Sequence, residues 1–268
     1  MSSGGRQRGF ALVVVLWVVA ALSLIAGAML ASSMTSAKIE KNAWTQIEVR
    51  NAADTAVQST IMSLFDPGKP LALDGRVQRS RVGGTALAVS IQDEGGLIDL
   101  NHASVGLLKT LVKAGGVDAE AADTLVARIV YWRSPPQEDS SLAGDDDGGD
   151  RSFRPRRGSF QSLDELKLVP GLSPEIYDRI APALTIYGRP TGDFDTRVAP
   201  RAVLMLVPGI DGDRADVALA ARTGELVIPR HVFTIVATAE ASNIRFSRRA
   251  AVRLTGDPQK PYEILDWQ

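Results

Sequence analysis

Hydrophobic and polar positions change rhythm repeatedly along the chain. From Phe10 to Ala31 there is no charged residue, and twelve positions are Leu, Ile, Val or Phe. As a helix rising about 1.5 Å per residue, this run reaches about 33 Å, which spans the roughly 30 Å hydrocarbon core of a bilayer. Inserting those side chains at about −0.3 to −0.6 kcal/mol each is favourable by about 4 to 7 kcal/mol. Arg6 and Arg8 precede the run, which predicts a transmembrane helix over 10–31 with a short cytoplasmic N-terminus. Beyond Ala31, Ile39, Ala43, Ile47, Ala56, Val57, Ile61, Leu64 and Phe65 recur at helical spacing among Lys38, Lys41, Glu48, Arg50 and Asp54. Nothing breaks the helix before Asp66-Pro67-Gly68. One continuous helix from Phe10 to about Phe65 is predicted, amphipathic over 32–66; a break near Ser32-Ser33 is the competing reading.

A period of two follows. Arg76 to Arg79 and Thr85 to Ile91 alternate around Gly83-Gly84, the pattern of a β-hairpin with one face on the helix. From Asp93 to about Arg222 the spacing is again helical. Val105, Leu107, Leu108, Leu111 and Val112 mark a helix ended by Gly115-Gly116. Asp118 caps the next, bearing Ala122, Leu125, Val126, Ile129 and Val130. Ser162 to Glu165 fits a capping box, while Ser173-Pro174 and Ala199-Pro200 each place proline at a helix start. Leu168-Val169-Pro170-Gly171-Leu172 recurs as Leu206-Val207-Pro208-Gly209-Ile210, and Leu100 to Ser104 has a counterpart in Thr196 to Pro200. Alternation returns at Val232–Ala239, Arg245–Leu254 and Tyr262–Trp267, with turns at Ser242-Asn243 and Gly256-Asp257-Pro258. The order helix, strands, helices, strands predicts an α+β fold in which a sheet of 67–92 and 226–268 is interrupted by an α-helical insertion over 93–225.

Composition narrows the chemistry. The formal net charge is −1, without the basic excess usual in proteins that hold nucleic acid by its phosphates. Cysteine is absent, so neither disulfides nor thiolate metal sites are available. The two histidines, His102 and His231, stand at a helix entrance and before a strand, with no nucleophile–base–carboxylate set, phosphate loop or metalloprotease motif around them. An enzyme is not expected. The stretch 135–150 gathers Glu138, Asp139, Asp145, Asp146, Asp147 and Asp150. Such carboxylates are either solvated or bound to a hard cation such as calcium; the spacing is not that of an EF-hand.

Gly9 lies after the basic leader and directly before Phe10. A cleaved secretory signal expects a shorter apolar run and a small-residue exit, and a plain signal anchor needs no such glycine. Gly9-Phe10 resembles the leader junction of type IV pilin-like proteins. That resemblance implies cutting after Gly9 by a prepilin peptidase, a leader of residues 1–9, and N-methylation of Phe10. Those proteins carry glutamate at the fifth mature position, where this chain has Val14. Its absence marks the minor pseudopilin K family of type II secretion. The resemblance extends through Asp93 to Asn101, Tyr131-Trp132-Arg133, Phe153-Arg154-Pro155, Leu163 to Leu166, Val169 to Leu172, and Val252 to Pro258.

Membership implies a pilin-like fold whose long helix packs on an antiparallel sheet. It implies a single-pass inner-membrane protein with a periplasmic C-terminal domain. Its role would be to cap the pseudopilus tip and help start assembly, with other minor pseudopilins, the major pseudopilin, prepilin peptidase and secreted substrates as partners. It associates the insertion with calcium, for which Asp145, Asp146, Asp147 and Asp150 are the candidate ligands. A different class remains open. The Leu-Val-Pro-Gly turns look like helix-hairpin-helix modules, whose amides can face a phosphate, so a membrane-anchored DNA receptor is the alternative. A periplasmic hydrolase with a signal anchor is a weaker third.

Overall fold

The computed structural model describes residues 6–66, 68, 71–135, 157–208, 210–222 and 231–268, and the backbone alone at 6–9, 11 and 30–37. Its first element, α1 (Arg6–Ser63), is an unbroken helix of 58 residues, about 87 Å long. The helix runs through 32–33 without a break; it contains no proline to interrupt it.

Two strands follow, β1 (Asp74–Val82) and β2 (Thr85–Asp93). The chain then enters a helical block. It holds β3 (Ile98–Asp99), α2 (Val105–Ala114), α3 (Ala119–Arg133), a 3-10 helix at Leu163–Leu168, α4 (Pro174–Ile180), β4 (Leu184–Thr185), α5 (Arg201–Leu204) and α6 (Gly212–Ala220). Three strands close the fold: β5 (Val232–Ala241), β6 (Ile244–Asp257) and β7 (Lys260–Trp267). The main sheet is antiparallel in the order β1-β2-β5-β6-β7. Asp93 pairs with Phe233, so the block leaves and rejoins the sheet at one point between neighbouring strands. At the opposite end β5 turns into β6 through Ser242 (φ 48°) and Asn243 (φ 69°), the pair of left-handed residues that a two-residue hairpin needs.

The upper half of α1 lies on this sheet because its apolar spacing presents Val49, Ala53, Val57, Ile61 and Leu64 to one side, all buried. Val57, Ile61 and Leu64 pack with Ile91, Phe233, Ile235, Ala237, Ala250, Val252 and Leu254. Val49 and Ala53 pack with Leu87 and Ala239. Each large side chain buried there contributes about 1.5–3 kcal/mol. The alanines let helix and sheet approach closely. Arg248 fastens them laterally: its guanidinium donates to Asp54 on α1 and stacks over Phe246 and Trp267.

The block has its own core, including Leu100, Leu108, Val126, Ile129, Trp132, Leu166, Ile180 and Leu204. Asp118 caps α3 through its side chain and Ser173 caps α4 with Pro174 in its first turn, as the pattern predicts; Ser104 caps α2 in the same way. Three local features differ. The segment after Ser162 is a 3-10 helix, and the Glu165 carboxylate accepts from the Gln161 amide instead of closing a box on Ser162. Pro170 disfavours helical backbone at Val169, which leaves only six residues. Pro200 is the cap of α5 and not its first residue. β3 and β4 form a parallel pair that no alternation announces, each being two residues long.

Candidate functional site

A long apolar surface is left uncovered on the lower half of α1. Leu12–Met29 is long and apolar enough to cross a bilayer, and none of it is buried by the rest of the chain. Phe10 is 74% exposed, Trp17 72% and Val14 43%. An apolar surface of this extent marks contact with lipid or protein. No charged side chain occurs from Phe10 to Ala37, so nothing on this stretch can form an ion pair inside a membrane. Gly9, Phe10 and Val14 all fall within the helical backbone of α1. Above the apolar span, Ile39, Trp44, Ile47 and Met62 remain exposed, so α1 also offers apolar side chains on the side the sheet does not cover.

The second candidate is the junction of sheet and block, built by Asp93-Glu94-Gly95-Gly96. Asp93 receives the Gly95 amide at 2.8 Å and stands 2.8 Å from Nδ1 of His231. That contact ties the exit from β2 to the entry of β5. The Glu94 carboxylate is buried and accepts from the Thr185 hydroxyl. Burial pushes its pKa above the ordinary carboxylate value, against the lowering effect of that hydrogen bond. Gly96 allows backbone to pass backbone: a Cβ there would lie 2.5 Å from the Val198 carbonyl oxygen.

Asp99 receives the Asn101 and His102 amides, and its carboxylate lies 3.2 Å from the His102 ring. The Asn101 amide both donates to and accepts from the Phe160 backbone, and Phe160 stacks on Trp132 at 6.2 Å between centroids. Arg133 donates to the Leu100 and Ala103 carbonyls. Asp195, held by Arg197, has its pKa lowered to about 2, and its amide donates to the Gly95 carbonyl.

These motif residues converge as a fastening between two cores. The polar groups bond to backbone and to each other, and each histidine faces one carboxylate as a structural contact. Among the described residues no group of three or more His, Asp or Glu is placed to hold a metal ion. Asp145, Asp146, Asp147 and Asp150 lie outside the described residues, as do Phe153-Arg154-Pro155 and Gly209. In the first Leu-Val-Pro-Gly turn Gly171 has φ 89°, and the Pro170 carbonyl accepts from Arg128 of α3 at 3.0 Å. That turn is engaged by its own chain. The contacts His231–Asp93 and Glu94–Thr185 join residues more than ninety positions apart; no spacing rule in the sequence reveals them.

Residues 86–189 match the family described as type II secretion system protein K. The stretch runs from β2 through β4 and contains the whole junction motif. Similar in fold is a chain of the crystal structure of the GspK–GspI–GspJ complex from the enterotoxigenic Escherichia coli type 2 secretion system. The TM-score is 0.57 at 12% identity, over 86% of this chain and 98% of that one. No curated protein matches the chain.

Proposed function

We propose that this chain, whose residues 86–189 match the type II secretion system protein K family, is the minor pseudopilin at the tip of the periplasmic pseudopilus, where it helps start assembly. One observation carries the reading. Val49 and Ala53 meet Leu87 and Ala239, while Ile61 and Leu64 meet the sheet nearer Asp93 and Phe233. The helical block therefore joins the sheet at the end farthest from the apolar span. A subunit topped in that way can pack its spine against neighbours below and beside it while leaving no seat for one above. Val14 supports the same place, since it lacks the carboxylate that pairs with a neighbour's terminal amine in pilin-like subunits. Gold-labelled antibody on sheared pseudopili is expected to mark one end only; label along the shaft removes the proposal.

The reading includes cleavage after Gly9, N-methylation of Phe10, and single-pass insertion in the inner membrane with the sheet and block in the periplasm. The neighbours are other minor pseudopilins, as in the complex of the similar structure, then the major pseudopilin and secreted substrates. Residues 93–225 act as an inserted domain. Its Leu-Val-Pro-Gly turn at 168–171 serves as a helix-hairpin-helix-like packing corner: the Pro170 carbonyl accepts from Arg128 and the Leu172 amide donates to the Val169 carbonyl, so the turn is bonded within its own chain. Gly9→Ala is expected to retain the nine-residue leader, read by intact mass spectrometry; a normally trimmed product overturns the processing claim. Calcium at Asp145, Asp146, Asp147 and Asp150 is part of the proposal. Titration of the full chain is expected to release heat that disappears when all four are changed to Asn, and no heat with the unaltered chain removes the site.

A further inference from the structure

The main sheet ends in two unlike edges. β7 contains Pro261, which has no amide hydrogen to share, and its pairing with β6 shifts register twice, between Ala251 and Val252 and between Leu254 and Asp257. Both features blunt an edge against further strands. β1 has no proline, and from Val77 to Val82 it pairs residue for residue with β2. All of Arg76–Val82 is exposed. The backbone groups on the outer side of this run are available for another ladder.

Side chains add a second, independent signal. Directly paired residues share a face of the sheet. Ser80 pairs with Leu87, which packs on α1, whereas Arg79 pairs with Ala88 and Arg81 with Ala86. Arg79 and Arg81 therefore stand two apart on the face away from the helix, beside small neighbours that leave room over them. Among the described residues neither has a carboxylate partner. Glu240 lies in the same cross-strand row as Arg81, two strands off beyond Ala86, and is held by Arg245 at 2.7 Å.

We propose that β1 is an acceptor edge, which adds an extended acidic segment of a partner polypeptide as a sixth strand along Val77–Val82. Main-chain hydrogen bonds supply the affinity in such an addition, and alternate side chains supply the choice of partner. Carboxylates at every second position of the incoming strand meet Arg79 and Arg81. The inference rests on the sheet edge and holds whether or not the chain occupies a pseudopilus tip.

The test uses full-length protein in detergent micelles and a fluorescent decapeptide of alternating Glu and Val, followed by anisotropy. Saturable binding is expected, weakened at least about tenfold in the Arg79→Glu/Arg81→Glu variant. A peptide with alternate amides N-methylated, offered to the unaltered protein, is expected not to bind. Two results overturn the proposal: no saturable binding of the parent peptide, or equal binding of its methylated form, which would reduce the effect to charge attraction. Self-association of the unaltered chain that Arg79→Glu/Arg81→Glu abolishes and that the peptide fails to displace would instead assign the edge to a second copy, and also overturns the proposal.

Discussion

Glu94 is the residue at which the junction is most sensitive to its surroundings. Its carboxyl is buried between β4 and the sheet, and desolvation raises its pKa while the Thr185 hydroxyl pulls the other way. A folded-state pKa above the unfolded one means that the folded chain keeps a proton the unfolded chain has released. Stability from this group is therefore full below the ordinary carboxylate range and declines as pH rises through the raised value. Glu94→Gln keeps the shape and removes the charge. Its melting temperature is expected to exceed that of the unaltered chain increasingly as pH climbs from about 4 to about 8. Tryptophan fluorescence read during heating checks this, and parallel curves for the two proteins contradict it. Gly96 belongs to the same scale. That the Asp93-Glu94-Gly95-Gly96 motif mattered was legible in the sequence; that Gly96 is required because Val198 passes over it was not, since the two are a hundred residues apart.

Among the elements, α1 shows how one helix serves two environments. Its lower half is apolar on all sides, as lipid or a bundle of similar helices requires, and its upper half buries one apolar side on the sheet while Ile39, Trp44, Ile47 and Met62 stay exposed among polar residues. Small side chains set the distance between the upper half and the sheet: Ala53 meets Leu87 and Ala239 with no exposed surface. Ala53→Leu forces extra volume into that seam and is expected to cost about 1–3 kcal/mol. A lowered midpoint in thermal unfolding checks it, and an unchanged midpoint would mean that the helix is not seated there. The helix and the five long strands were readable from periodicity because each repeats its pattern over many residues. The 3-10 segment at Leu163–Leu168 and the short α5 were read only as helix starts, because caps specify where a helix begins and not how long it persists.

For the whole molecule, the decisive fact is that β2 and β5 are neighbours joined by the block. Asp93 pairs with Phe233, so the chain could pass between them in a two-residue hairpin. A variant with residues 94–232 replaced by Asn-Gly is expected to keep a cooperatively unfolding sheet on α1, since the sheet's core is separate from that of the block. Circular dichroism during heating of the detergent-solubilised chain reads this; a non-cooperative melt would show that the block is needed to complete the sheet. The same separation lets the chain carry a large helical block without disturbing the seat of α1 on the sheet.

Local pattern alone determined the membrane-length apolar helix, its amphipathic continuation, the hairpins and the capped starts of α3 and α4, because each depends on neighbours within a few residues. That Gly9 directly precedes Phe10, and that valine stands at position 14, are facts of the sequence itself. Only the tertiary structure decided that the block rejoins the sheet where it left, at the end away from the membrane span. It also decided that Glu94 meets Thr185, that Asp93 meets His231, and that β1 forms an edge of the sheet on which, among the described residues, Arg79 and Arg81 have no carboxylate partner. Those are relations between segments far apart in the chain, and they exist only once two separate cores have packed.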